Sequence, residues 1–173
     1  MRSLSPELTL TIRPMLLDDI PAVQAIDQLS FTMPWPASSF HYELLENSSS
    51  RLWVAEINHL EGNKEVVGVI VVWMVVDEAH IATLAVHPDY RQMGIATRLL
   101  LTALKHAAQI GMQSATLEVR AANIPAQQLY QRFGFVVVGT RKGYYQDNHE
   151  DALIMTLPKI EHTHLLQIEH NLK

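Results

Sequence analysis

Residues 66–76, VVGVIVVWMVV, form the longest apolar run of the chain and constrain its fold more than any other stretch. A helix needs about 20 apolar residues to cross a bilayer, so the run is too short to span one and reads as a buried strand. A strand buried in this way needs cover, and its neighbours in sequence supply it. Leu8–Arg13 alternates as a first strand. LLDDIPAVQAIDQLSF (16–31) sets Ile20, Val23, Ile26 and Leu29 at helical spacing. Two prolines bracket Trp35, and a short helix is expected from about Ser38, with that serine as its cap. RLWVAEI (51–57) meets the apolar run through the hairpin-like loop NHLEGNK, and EAHIATLAVHP (78–88) is a further strand ended by Pro88.

From Ala96 a helix turns Leu99, Leu100, Ala103, Leu104 and Ala107 inward and stops at Gly111. SATLEV (114–119) is a strand. NIPAQQLYQRFGF (123–135) is a short helix opened by Asn123 and closed by Gly134, and FVVVGT and DALIMTL are the last strands. Strands and helices in this order imply an α/β (α+β) fold, a single domain with a mixed central sheet and helices on both faces.

Composition narrows the function. A hydrophobic share of 48% and a charged share of 18% suit a globular domain, and a formal charge of −5 offers no general attraction to nucleic acid or an anionic membrane. The chain has no cysteine, which removes disulfides, thiolate metal sites and a cysteine nucleophile, and fits a reducing compartment. The N-terminus lacks an apolar core of signal-peptide length, so a cytoplasmic protein is expected. Residues 1–158 read as the domain and 159–173 as a tail. In that tail Leu165, Ile168 and Leu172 share a helical face that docks on the domain or on a second copy, so a monomer or weak homodimer is expected. His162 and His164 read as an exposed polar pair, and no metal is expected.

Three places carry chemistry. HPDYRQMGIATRLL (87–100) leaves a strand and enters a helix through Arg91, Gln92, Met93, Gly94, Ile95 and Ala96. The first N–H groups of a helix lack internal partners and attract anions. Gly94 allows a positive φ, and the small Ala96 allows close approach of a phosphate. An ordinary strand-to-helix turn explains the same residues. In ATLEVR, Glu118 lies on the face opposite Ala115, Leu117 and Val119, where a covered strand has no place for a carboxylate without a cleft or a partner. A salt bridge with Arg120 or Arg132 is the plain structural explanation. Tyr130 is either a core aromatic or a hydroxyl turned to a site, and Asn123 is a helix cap.

The ordered set LAVHPDYRQMGIA, LEVRAAN and LYQRFGF, with MPW (33–35), GYY (143–145) and HEDALIM (149–155), resembles the GNAT superfamily of N-acetyltransferases over roughly residues 9–157. Within it the chain is most similar to ribosomal-protein-alanine and related protein Nα-acetyltransferases. The resemblance implies a splayed sheet with acetyl-CoA as cosubstrate in a V between two parallel strands. The backbone of Leu84, Ala85 and Val86 would pair with the pantetheine arm, the 91–96 amides would take the pyrophosphate, and Asn123 would touch the CoA arm. Glu118 would be the general base and Tyr130 the acid that meets the leaving thiolate. Trp35, Tyr144 and Tyr145, in loops, would receive the acceptor, a protein N-terminus such as that of a ribosomal protein. His149 and Glu150 match the pattern without an assigned step. Relatives often have Gln at Arg91 and Ser at Ala122. A lysine or small-amine acetyltransferase, or a CoA-binding regulatory module, is the alternative.

Overall fold

The computed structural model describes residues 8–59 and 62–172. Its elements follow the chain as β1 (Leu8–Pro14), α1 (Ile20–Ser30), α2 (Ser39–Leu45), β2 (Ser50–His59), β3 (Lys64–Val75), β4 (Glu78–Val86), α3 (Ile95–Gln109), β5 (Ser114–Arg120), α4 (Ile124–Arg132), β6 (Val136–Tyr145), β7 (Glu150–Leu157) and α5 (His162–His170). The strands form a sheet in the order β1-β2-β3-β4-β5-β7-β6. β1 with β2, β5 with β7 and β6 with β7 are antiparallel, whereas β4 and β5 are parallel, so the sheet is mixed as expected. Parallel neighbours need a crossover, which α3 supplies. The parallel register joins Glu78, Ala79 and His80 to Ser114, Ala115 and Thr116.

The chain packs as two compact units, Met1–Val72 with Thr83–Ala103, and Trp73–Ala82 with Leu104–Lys173. In the first, Val67 and Val69–Val72 of β3 are fully buried with Val54, Ala55 and Ile57 of β2, Val23 and Ile26 of α1, Phe40 of α2 and Leu99 and Leu100 of α3. The apolar run is thus core, except at its end. Val75 and Val76 are exposed, and Val76 turns the chain toward β4 at a φ of 56°. Leu29 also departs from expectation. It is 56% exposed, because the stripe of α1 narrows to Ile20, Val23 and Ile26. Ser38 stands at the N-cap position of α2 but makes no capping hydrogen bond, since its own backbone is already helical.

Gly68, inside β3, is explained by what surrounds it. A Cβ there would lie 3.1 Å from Leu99 Cδ1, 3.2 Å from the Ala85 carbonyl oxygen and 3.3 Å from Ile95 Cγ2. The start of α3 is therefore seated directly on the β3 backbone. A second constraint is ionic. Arg13 on β1 reaches Asp19 at 2.7 Å and Glu56 on β2 at 2.7 Å, both carboxylates being buried. The guanidinium holds both well below the usual carboxylate range, against the opposing effect of burial.

The second unit buries Ala115, Leu117 and Val119 of β5, Leu129 and Tyr130 of α4, Phe133, Phe135, and Ala152, Met155 and Leu157 of β7. Asn123 caps α4 by accepting the Ala126 N–H at 3.2 Å, and Gly134 ends it at a φ of 91°. Helix α5 rests in this unit through Leu165, 1% exposed, through Lys105–Glu169 at 2.9 Å and through His164 Nε2 against the Arg132 carbonyl at 3.2 Å.

Two outcomes follow. Gly68→Ala should cost roughly 1–3 kcal/mol through overpacking against Leu99, Ile95 and the Ala85 carbonyl, read as a lower urea midpoint at constant m. Arg13→Leu should cost roughly 3 kcal/mol at neutral pH, because buried Asp19 loses its cation and Glu56 keeps only Lys64, at 3.2 Å. The wild-type carboxylates have depressed folded pKa values, so their contribution is present above about pH 4 and lost as pH falls through those values. The Arg13→Leu penalty should therefore shrink below about pH 4, measured by denaturant unfolding across pH.

Candidate active site

The 91–96 loop belongs to the first unit. Gln92 sits at a φ of 65° and Gly94 at 79°, two left-handed residues separated by Met93. Sequence reasoning anticipated the glycine and missed the glutamine, a residue type that signals no such turn. The first turn of α3 carries no acidic side chain, and Ile95 and Leu99 seat it on Gly68, so no carboxylate of that turn competes for its first amides. Arg91 does not project freely from this loop. Its Nε donates to the Val86 carbonyl at 3.0 Å and its Nη2 to Ser30 Oγ at 3.2 Å, so the side chain braces the loop against the end of β4. One lone pair of the Val86 carbonyl is thereby occupied. Ala85 is buried and Leu84 half-buried.

Glu118 belongs to the second unit. Its side chain is 14% exposed, with Oε2 3.3 Å from His80 Nε2 and Oε1 3.0 Å from Arg141 Nη2. The His80 ring stacks on Trp73 at 5.3 Å between centroids. The guanidinium beside Glu118 is therefore neither Arg120's nor Arg132's, as the sequence suggested. Arg120 is held instead by Asp147 at 2.8 Å and Glu150 at 3.0 Å. His80 and Arg141 went unnoticed because their nearness to Glu118 is a matter of strand register. His80 lies opposite Thr116 in the parallel pair. Arg141 comes from β6, whose Gly139 pairs with Ile154 of β7, as does Glu118. The one sequence signal was alternation, which puts His80 and Glu118 each on the less buried face of its strand.

Tyr130 is buried, its ring 5.7 Å from that of Phe135, and burial pushes its hydroxyl up beyond the ordinary tyrosine range. It is a firmly protonated hydrogen-bond donor. Tyr144 and Tyr145 close β6 and so lie in strand, not in the loop that was expected. They meet edge to face at 5.2 Å, and the Arg120 guanidinium lies 3.8 Å from the Tyr145 ring centroid. Burial pushes the Tyr145 hydroxyl up to about 12 against the opposing charge of Arg120. Trp35, back in the first unit, does lie in a loop. Its backbone N–H donates to Asp27 Oδ2 at 2.7 Å and its ring packs on Phe40 at 5.2 Å. Asp27 is 1% exposed, and burial raises its pKa.

A model of the acetyltransferase (GNAT) family matches residues 20–135, and this decides the question of kinship. The chain belongs to the GNAT family. A Bacillus subtilis (strain 168) protein named as a candidate [ribosomal protein bS18]-alanine N-acetyltransferase is 40% identical over 144 residues, covering 83% of this chain and 92% of that one. The Escherichia coli (strain K12) [ribosomal protein bS18]-alanine N-acetyltransferase is 32% identical over 150 residues, covering 86% and 97%. Among solved structures, the Escherichia coli ribosomal-protein-S18-alanine N-acetyltransferase superposes with a TM-score of 0.76 at 29% identity, covering 87% of this chain and 94% of that one. Ard1 from Thermoplasma volcanium does so at 0.73 with 30% identity, covering 88% and 99%. The GNAT chain is thus an enzyme, an acetyl-CoA-dependent N-acetyltransferase with the mixed α/β sheet of its kin. No helix among the described residues is long and apolar enough to cross a membrane.

The tyrosines of this GNAT domain give a direct check. In a spectrophotometric titration, Tyr145→Phe should leave the phenolate absorbance below about pH 11 unchanged, because that hydroxyl ionises beyond it. Loss of one tyrosine's signal near pH 10 would show a water-exposed hydroxyl instead.

Proposed function

We propose that this enzyme transfers the acetyl group of acetyl-CoA to the α-amine of a protein N-terminus, with Glu118 taking the proton that the amine must shed. The reading is carried by Glu118, a part-buried carboxylate set between His80 Nε2 and Arg141 Nη2 in a GNAT chain. Relatives over 30% identical along most of the chain, named as acetylating the alanine of ribosomal protein bS18, support an acceptor of that kind. An N-alpha-acetyltransferase from Sulfurisphaera tokodaii, 32% identical over 160 residues, supports the α-amine more broadly.

Acetyl-CoA supplies a thioester whose carbonyl carbon gains the amine nitrogen while the C–S bond breaks. The amides of Arg91, Gln92, Met93, Gly94, Ile95 and Ala96 hold the pyrophosphate, which suits a helix start free of acidic residues. Backbone groups of Leu84, Ala85 and Val86 and the side chain of Asn123 steady the rest of the CoA arm. Glu118 accepts the proton from the attacking nitrogen, directly or through a water. An α-ammonium titrates near about 8, so near neutral pH this step governs the supply of free amine. Tyr130 donates a hydrogen bond to the departing sulfur. An ordinary thiol titrates near about 8.5, below the raised Tyr130 hydroxyl, so Tyr130 stabilises the thiolate without yielding its proton outright. Trp35, Tyr144 and Tyr145 receive the first residues of the acceptor.

In this reading residues 1–158 are the catalytic domain and 159–173 a helical tail, acting in the cytoplasm as a monomer or weak homodimer. Glu118→Gln should lower turnover on free N-terminal peptides by roughly 100-fold or more, with acetyl-CoA affinity kept, as measured by steady-state acetylation and calorimetry. Turnover confined to lysine peptides or small amines would overturn the α-amine assignment. Unchanged turnover in Glu118→Gln would remove it as the base.

A further inference from the structure

Arg120 stands two residues beyond Glu118 on β5, and its surroundings go further than an ion pair requires. Nη2 meets Asp147 Oδ2 at 2.8 Å, and Nη1 meets Glu150 Oε2 at 3.0 Å and donates to Asn148 Oδ1 at 3.2 Å. The face of the same guanidinium covers the Tyr145 ring at 3.8 Å. Glu150 Oε1 in turn accepts the Ala122 N–H at 2.7 Å, beside the cap of α4. The segment so held, residues 146–149, is exposed and polar, and His149 sits in it at a φ of 56°. Asn148 also bonds Glu150 within the turn, but a single planar group joins both carboxylates to the phenol ring, its edges on the first and its face on the second, a combination lysine cannot reproduce.

Part-exposed pairs of this kind add little to global stability. Their effect is geometric. Without the guanidinium the carboxylates of Asp147 and Glu150 repel one another across the turn, and the Tyr145 ring loses the partner under it. We propose that Arg120 is a positioning residue for the acceptor, setting the Tyr145 ring and the turn between β6 and β7 in the arrangement that receives an incoming protein N-terminus. This rests on the reading that Tyr145 contacts the acceptor.

The test is steady-state kinetics of Arg120→Met, Arg120→Lys, Asp147→Asn and Tyr145→Leu, varying acceptor peptide and acetyl-CoA separately, with thermal midpoints in parallel. Arg120→Met should raise the acceptor KM about tenfold, the order expected for a lost cation–π contact, and Arg120→Lys by less. The acetyl-CoA KM should stay within about twofold. In the Tyr145→Leu background the Arg120→Met effect on acceptor KM should shrink to under about twofold, because both act through one ring. If Arg120→Met does not fold, Arg120→Lys and Asp147→Asn, each altering part of the cluster, carry the same comparison.

An acceptor KM unchanged in both Arg120 variants, with Tyr145→Leu still raising it, would overturn the proposal and leave the acceptor reading intact. Additive effects in the double variant would overturn it too, since Arg120 would then act apart from the ring. A Tyr145→Leu enzyme with normal acceptor KM would instead remove the reading on which it rests.

Discussion

The first unit depends on a missing side chain. Because Gly68 presents bare backbone inside β3, Leu99 and Ile95 of α3 lie where a methyl group would otherwise intrude. Helix α3 therefore begins hard against a buried strand, and the left-handed pair Gln92 and Gly94 bends the chain into that start. The Ala85 carbonyl of β4 crowds the same glycine. Strand, loop and helix start are thus held by one close contact, which aims the first N–H groups of α3 in advance.

Guanidinium groups do the corresponding work for the carboxylates. Arg13 satisfies two buried acids within the first unit, Arg120 two at the turn between β6 and β7, and Arg141 reaches Glu118. Their settings differ. Arg13 neutralises acids buried in the unit's interior, where loss of the cation strands charge. Arg120 works in part-exposed surroundings, where order matters more than energy. Arg141 is half exposed and sits at the end of a side chain long enough to move. Of the three guanidinium groups, that of Arg141 is the most open to solvent.

Much of this was legible in the sequence, for definite reasons. Helix α3 announced itself because Leu99, Leu100, Ala103, Leu104 and Ala107 recur at the period of a helix, and all five are buried. Asn123 and Gly134 bounded α4 because capping and left-handed closure each demand a narrow set of residue types. Alternation gave the two faces of β5. What the sequence hid was lateral. Which residue stands beside Glu118 follows from the parallel register of β4 and from β6 reaching it across β7, with a register shift between Val137 and Gly139 on the way. Local pattern carries no trace of such offsets. Tyr144 and Tyr145 read as loop for a similar reason. The strand resumes beyond a second irregularity, between Arg141 and Tyr145.

The place of β6 in the sheet has a consequence of its own. It is an edge strand, paired on one side with β7 alone, and Arg141, Tyr144 and Tyr145 all lie in its second half. An edge can be lengthened, bulged or re-cut at its free end without breaking the register of any inner strand. The loop that opens α3 has no such latitude, because the helix start is pinned to a buried glycine. Such a scaffold can remodel a single hairpin at its edge while the start of α3 stays as it is.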